Sequence, residues 1–229
     1  MPLPISDDEK ACMLDQVFSL FTRYGFEGIS MDEVAKRVKL SKATLYKYIE
    51  SKENIVRKMV REMIAHMDAM TFTADHGMEG VLQSVSTVYF KAIIVAVYIS
   101  PEFLKDLKEK FPHIYAEYLA ALASMQKRFE DFHEQAVQKG YCNRISIRLV
   151  GEQIKMMLPM VLRAEYLQEN QVSLPEVIED YYRLLLCQLI CERNQPKEGQ
   201  IKKYLPMDRL MDLLNSRFLM RDSGENRTI

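Results

Sequence analysis

Lys42, Ala43, Thr44, Tyr46, Lys47 and Tyr48 stand close together in the chain, with Lys52 just beyond. A helix laid in a major groove shows its first turn to base edges, while hydroxyls and ammonium groups grip the flanking phosphates. Lys42 carries donors suited to guanine acceptors, and Ala43 is small and apolar enough to touch a thymine methyl. Thr44, Tyr46, Tyr48 and Lys52 hold donors on short or rigid arms, which suits them to phosphate. Leu45 and Ile49, four apart, are left to point inward. Eight cations (Lys36, Arg37, Lys39, Lys42, Lys47, Lys52, Arg57, Lys58) face two acids (Glu50, Glu53) over residues 36–58, in a chain of net charge -1. The excess is therefore a local patch, and the overall balance excludes a general nucleic-acid coat.

These residues need helices to hold them. Ser30, with Glu33 three positions on, forms a capping box, and Met31, Val34, Ala35 and Val38 then share one helical face. Leu40 closes a turn against that face, and Ser41 caps the helix that carries Lys42–Tyr48. Upstream, a helix capped by Ser6 and Glu9 runs to Tyr24, where Gly25 stops it. Its apolar stripe supports two helices too short to stand alone. Ser51 caps a fourth helix running from Lys52 toward Met70, the connector to the rest of the chain.

The order Ala11, Leu14, Phe18, Phe21, Tyr24-Gly25-Phe26, Ser30, Val34-Ala35, Leu40-Ser41, Leu45-Tyr46, Tyr48, Ser51-Lys52-Glu53 resembles the N-terminal domain of TetR-type transcriptional regulators. The resemblance spans about residues 8–60. Two positions depart from it: Lys39 replaces a turn glycine, which implies a positive φ or an altered turn, and Ile49 replaces a phenylalanine. The resemblance implies an all-α fold with a three-helix helix-turn-helix head at 1–52. It further implies a larger helical effector-binding and dimerisation body at 53–220, a flexible tail at 221–229, and Ser30 among the DNA-binding residues. Repression of a palindromic operator is the activity it implies.

Composition agrees with long helices: eight Gly and eight Pro in 229 residues leave few breaks, and 48% hydrophobic residues supply a sizeable core. Fifteen Met and no Trp indicate an adaptable interior. Cys12, Cys142, Cys187 and Cys191 form no CxxC pair and read as reduced intracellular thiols. The N-terminus lacks the basic start and apolar run of a signal peptide, and the apolar stretch 92–99 falls short of the roughly 20 residues of a membrane helix. A cytoplasmic protein with no membrane partner is expected.

The loop 71–80 reads as a boundary. Beyond it 81–100 is apolar nearly all round, as a helix buried among others would be. Ser100-Pro101 ends it, a short amphipathic piece spans 102–110, and Pro112 opens a helix to about Lys139 with Gly140 past its end. That helix bears an apolar line at Ile114, Tyr118, Ala121, Met125, Phe129, Phe132 and Ala136. If these two long helices enclose a cavity, Gln126 and His133 are its polar anchors. Tyr89, Ile93, Tyr118, Met125, Phe129, Met156 and Met160 are then candidate walls for an apolar or amphiphilic effector. Ordinary packing is the competing account of each.

A helix over 146–168, interrupted near Pro159, and another over 173–192, capped by Ser173 and Glu176, follow. Val177, Ile178, Tyr181, Leu184, Leu185 and Leu189 make the second wider in apolar surface than one packing stripe needs, and the first five with Gln188 are the candidate interface residues. The resemblance assigns such paired helices to a four-helix interface in a homodimer, which holds two heads about 34–36 Å apart on a palindrome. A further amphipathic helix spans 206–218.

Enzymatic motifs are missing: no GxSxG, P-loop, GxGxxG or HExxH occurs, and His66, His76, His113 and His133 are scattered. No catalytic residue, metal ligand or cofactor is assigned. Three readings stay open: an effector-responsive dimeric repressor, a DNA-binding dimer governed by a protein partner, and an interaction module with a vestigial head.

Overall fold

The structure is a computed structural model and describes residues 7–49 and 51–222. The expected cap at Ser6 and most of the expected tail lie outside those residues. Among the described residues the chain is helical, as expected: α1 (Asp7–Tyr24), α2 (Met31–Arg37), α3 (Lys42–Tyr48), α4 (Lys52–Asp68), α5 (Gly77–Tyr98) and α6 (Pro101–Lys110). Then come α7 (Pro112–Gln138), α8 (Ile147–Val161), α9 (Ala164–Glu169), α10 (Leu174–Leu189), α11 (Glu198–Tyr204) and α12 (Met207–Asp222). The chain divides into two compact units, one formed by residues up to Met70 with Tyr98–Lys127, the other by Thr71–Val97 with the chain from Arg128 onward.

In the first unit, α1 stops where Gly25 takes φ +75, and Lys39 adopts the positive φ of 57 that replacing a turn glycine implies. Ser30 and Glu33 complete both bonds of the α2 capping box. Helices as short as α2 and α3 do not persist alone. Their inner residues Val34, Leu45 and Ile49 are buried among Val17, Phe21, Phe26, Val56 and Val60. Full burial of each such side chain contributes about 1.5–3 kcal/mol. Phe103, Leu107 and Ile114, from α6 and the start of α7, join the same core. Phe26 is the centre of its aromatic packing, 5.4 Å from Phe111, 5.8 Å from Phe103 and 6.0 Å from Phe21.

In the second unit, α5 is long and apolar enough to cross a membrane by length and composition alone. Val81, Leu82, Val85, Tyr89 and Ile93 are nonetheless buried against protein, which marks a core helix. Its burial is one-sided, contrary to the all-round burial its composition suggested, and Val95 is exposed. Tyr89 stacks on Tyr182 at 5.2 Å and donates its hydroxyl to the Ile178 carbonyl at 2.7 Å, while Tyr182 and Ser86 share a 2.6 Å hydrogen bond. Burial pushes the Tyr182 phenol up to about 12. The expected 146–168 helix breaks at Leu162 and Arg163 rather than at Pro159, which lies in the last turn of α8. The capping box at Ser173 and Glu176 forms as expected. The structure adds α11, and an antiparallel bridge between Cys142 and Ile190, neither of which periodicity had signalled.

Candidate nucleic-acid interface

The outward face of α3 is set by two local devices. Ser41 Oγ accepts from the Thr44 amide at 3.1 Å and bonds the Thr44 hydroxyl at 2.7 Å, which fixes the start of the helix. Leu45 and Ile49, both buried, fix its rotation. The result exposes Lys42, Ala43, Tyr46 and Lys47 together, with Tyr46 at 42% exposure. Thr44 is half-buried, and Tyr48 packs partly against the core instead of facing out. Ser30 sits at the start of α2. Its amide and hydroxyl both donate to Glu33 Oε2, at 2.9 and 3.1 Å, and these bonds hold the Glu33 carboxyl below its usual range.

The cationic patch is partly consumed by the protein itself. Lys42 Nζ lies 2.8 Å from Asp32 Oδ1, and this bond raises the lysine's pKa. Arg57 pairs with Glu53 at 3.0 Å and Glu117 at 3.7 Å, and it donates to His113 Nε2 at 2.7 Å. Lys52, expected as a phosphate ligand, turns inward: its Nζ donates to the carbonyls of Phe26 at 2.6 Å and Ile29 at 2.7 Å. Arg23 and Arg37 lie over the exposed Tyr24 ring, at 4.9 and 5.6 Å from its centroid.

Sequence reasoning missed Asp106. Its Oδ2 accepts from the amides of Phe26 at 2.7 Å and Glu27 at 2.8 Å. The turn from α1 into α2 is thus gripped by a carboxylate from α6 and an ammonium from α4. Gly25 makes room for this, since a Cβ there would come within 2.5 Å of Asp106 Oδ2. No motif signals this residue, because its partners are about 80 positions away in the chain.

The effector candidates are distributed differently from the expectation. Tyr118 and Met125 pack into the first unit's core, and Gln126 is half-buried. In the second unit Tyr89 and Ile93 are core, and Phe129 stands 5.2 Å from Phe72 and 5.3 Å from Phe132 in an aromatic cluster. His133 is buried with a ring nitrogen 3.1 Å from the Asn143 carbonyl, and desolvation lowers its pKa. It also lines an open depression of about 250 Å³ with Glu130, Ser146, Ile147 and Arg148. Met156 and Met160, expected as cavity wall, are exposed at 76% and 47%.

The interface candidates are likewise split. Ile178, Tyr181 and Leu185 are buried in their own unit, Val177 and Gln188 are half-buried, and Leu184 is exposed. Further open apolar groups lie on α8, the other helix of the expected interface pair, where Leu149, Met156 and Met160 follow helical spacing. Gln188 Nε2 donates to Gln153 Oε1 at 3.1 Å, joining α10 to that helix. The i, i+7, i+11 spacing of these three residues was the available signal.

Residues 14–59 match the family described as bacterial regulatory proteins, tetR family. The chain is 20% identical over 165 residues to the biofilm operon icaADBC HTH-type negative transcriptional regulator IcaR of Staphylococcus aureus, covering 69% of this chain and 82% of IcaR. Its fold is similar to that of the ketosteroid transcriptional regulator KstR2 of Mycobacterium tuberculosis, with TM-score 0.60, 15% identity, and 82% of this chain and 98% of that chain covered. It is also similar to AibR, solved in complex with isovaleryl coenzyme A and operator DNA, with TM-score 0.52, 16% identity, and 77% and 97% of the two chains covered.

Proposed function

We propose that the chain, whose residues 14–59 match the tetR family, is a DNA-binding transcriptional regulator that works as a homodimeric repressor of a palindromic operator, released by a small effector. The observation that carries the reading is the outward face of α3, where Ala43, Tyr46 and Lys47 stand open beside the Lys42–Asp32 pair. Tyr46 and Lys47 contact phosphates, Lys42 and Ala43 meet base edges, and Thr44 supports them through Ser41. Lys52 acts from behind by holding the turn that leads into α2. A DNA partner supports the expectation of a cytoplasmic protein.

Dimerisation supplies the second half-site. The exposed line of Leu149, Met156 and Met160, with Leu184 from α10, is apolar surface that a second copy of the chain would cover. Two heads at a fixed separation of about 34–36 Å then match successive turns of one DNA face. An effector that favours a dimer with another separation weakens operator binding without touching a base contact, and ligand and DNA affinities oppose each other by equal factors. The AibR complex supports an acyl, amphiphilic class of effector. Phe129 and His133 in the second unit are the candidate contacts.

A footprint on the DNA upstream of the gene, with and without acyl and other amphiphilic ligands, tests the whole reading. Protection of a palindrome that such a ligand abolishes is the expected result. Protection that no ligand changes leaves the repressor and transfers its control to a protein partner. Absence of protection at low salt overturns DNA recognition itself.

A further inference from the structure

Asp32 is an unusual neighbour for a nucleic-acid surface. The capping box of α2 is closed by Ser30 and Glu33, each accepting from the other's amide, and Asp32 takes no part in it. Its carboxylate instead reaches from α2 to Lys42 on α3, with Nζ to Oδ1 at 2.8 Å and both side chains more than half exposed. An exposed pair of this kind adds little to stability. Beside phosphates, moreover, a carboxylate is a liability unless it meets a donor.

Building on the DNA-binding reading, we propose that Asp32 and Lys42 act as one unit that reads a G·C base pair in each half-site. Within that pair, guanine O6 and cytosine N4 are hydrogen-bonded to each other at about 2.9 Å, the ordinary N–H···O spacing. The protein presents a donor and an acceptor at 2.8 Å, so the two couples can lie side by side. Lys42 Nζ donates to O6 and N7 of guanine, and Asp32 accepts from N4 of cytosine. Reversing the base pair sets the carboxylate against O6. Replacing it with T·A keeps an acceptor, O4, and a donor, adenine N6, at the same places but removes the guanine N7 acceptor and sets the thymine methyl against the ammonium. The carboxylate therefore rejects the reversed pair and the ammonium, through N7, favours G·C over T·A, so the two together set base and orientation as neither does alone.

The test takes the full-length protein, selects bound duplexes from a randomised pool, and then measures affinity for every single base-pair substitution in the selected site. Wild type should show one G·C pair per half-site whose replacement weakens binding on the order of 5- to 150-fold. Asp32→Ala should remove the discrimination against the reversed pair at that position and no other, leaving the guanine preference of Lys42, while tightening binding to unrelated duplexes. Lys42→Ala should flatten the same position and shallow the log-log salt slope by about one. If Asp32→Ala does not fold by circular dichroism, the isosteric Asp32→Asn replaces it and should redirect the preference toward adenine. Unchanged discrimination in the folded Asp32 variant, or an equal loss against all sequences, overturns the paired reading and leaves DNA binding intact. Failure of wild type to select any duplex removes the DNA-binding reading on which the pair rests.

Discussion

The outer faces of α3 and α8 are both open to solvent, yet they are made of different materials. Along α3 the exposed groups are Lys42, Tyr46 and Lys47, each ending in a donor. Along α8 the exposed Leu149, Met156 and Met160 form an apolar stripe, flanked by the exposed Arg148, Glu152 and Lys155. Donors on a rigid helix gain from a surface of fixed acceptors and lose little in water, as a nucleic-acid face must before it finds its site. Apolar groups left in water gain only when another apolar surface removes them from it. The first face suits a reversible, salt-sensitive partner and the second a standing protein partner.

The sharpest way to break this contrast is to put charge on the apolar face. Met156→Glu with Met160→Glu should raise the dimer dissociation constant by about 10²-fold or more, since each buried Met side chain contributes about 1.5–3 kcal/mol. Sedimentation equilibrium reads this directly, and a dimer that survives both changes places the interface elsewhere. Operator affinity should fall with dimer population while circular dichroism stays unchanged.

Next in size is the support beneath the polar face. Asp106→Ala strips the acceptor from the amides of Phe26 and Glu27; the exposed Glu27 amide turns to water, and the Phe26 amide left unsatisfied costs about 1–3 kcal/mol. The urea midpoint should drop and operator affinity with it. Asp106→Asn, which keeps an acceptor oxygen, should recover most of both. Equal losses in the two variants would mean that the charge rather than the acceptor matters.

Smaller effects belong to the face itself. Lys47→Ala should shallow the salt dependence of operator binding by about one unit on a log-log plot. Tyr46→Phe should cost about 1 kcal/mol, the net worth of one hydrogen bond. Fluorescence anisotropy across a salt series measures both, and a Lys47→Ala slope equal to wild type would remove that residue from the phosphate contacts.

The smallest effect is electrostatic and belongs to neither face. Burial holds the His133 pKa below its ordinary 6.5, so on acidification the unfolded chain takes up the proton first. Stability should be unaffected above about pH 6.5 and decline as pH falls from there toward the folded value. Denaturation midpoints measured from pH 7.5 to 5 should show this decline, and His133→Gln should flatten it.

Local rules carried much of this architecture. Ser30 with Glu33 and Ser173 with Glu176 were legible because a capping box needs only residues three apart. The positive φ of Lys39 was one of the two outcomes that the family resemblance implied for a turn position without its glycine. Lys52 was not legible: its partners Phe26 and Ile29 lie 26 and 23 positions away, and only the folded turn brings their carbonyls within reach. Ile178, Tyr181 and Leu185 illustrate the same boundary, since periodicity put them on an apolar face without saying whether their own unit or a second copy covers it.

The sequence by itself determined that the chain is helical, where most helices begin, and that one early helix carries a cationic, tyrosine-bearing surface. These follow from hydrogen bonds and side-chain periods that close within a few residues. Tertiary structure alone decided which cations remain available and which apolar stripe stays open. It also decided that Asp106 and Lys52 hold the turn ahead of α2, and that Asp32 stands against Lys42. Each depends on groups distant in the chain meeting within about 3 Å, and no spacing rule along a single segment encodes such a meeting.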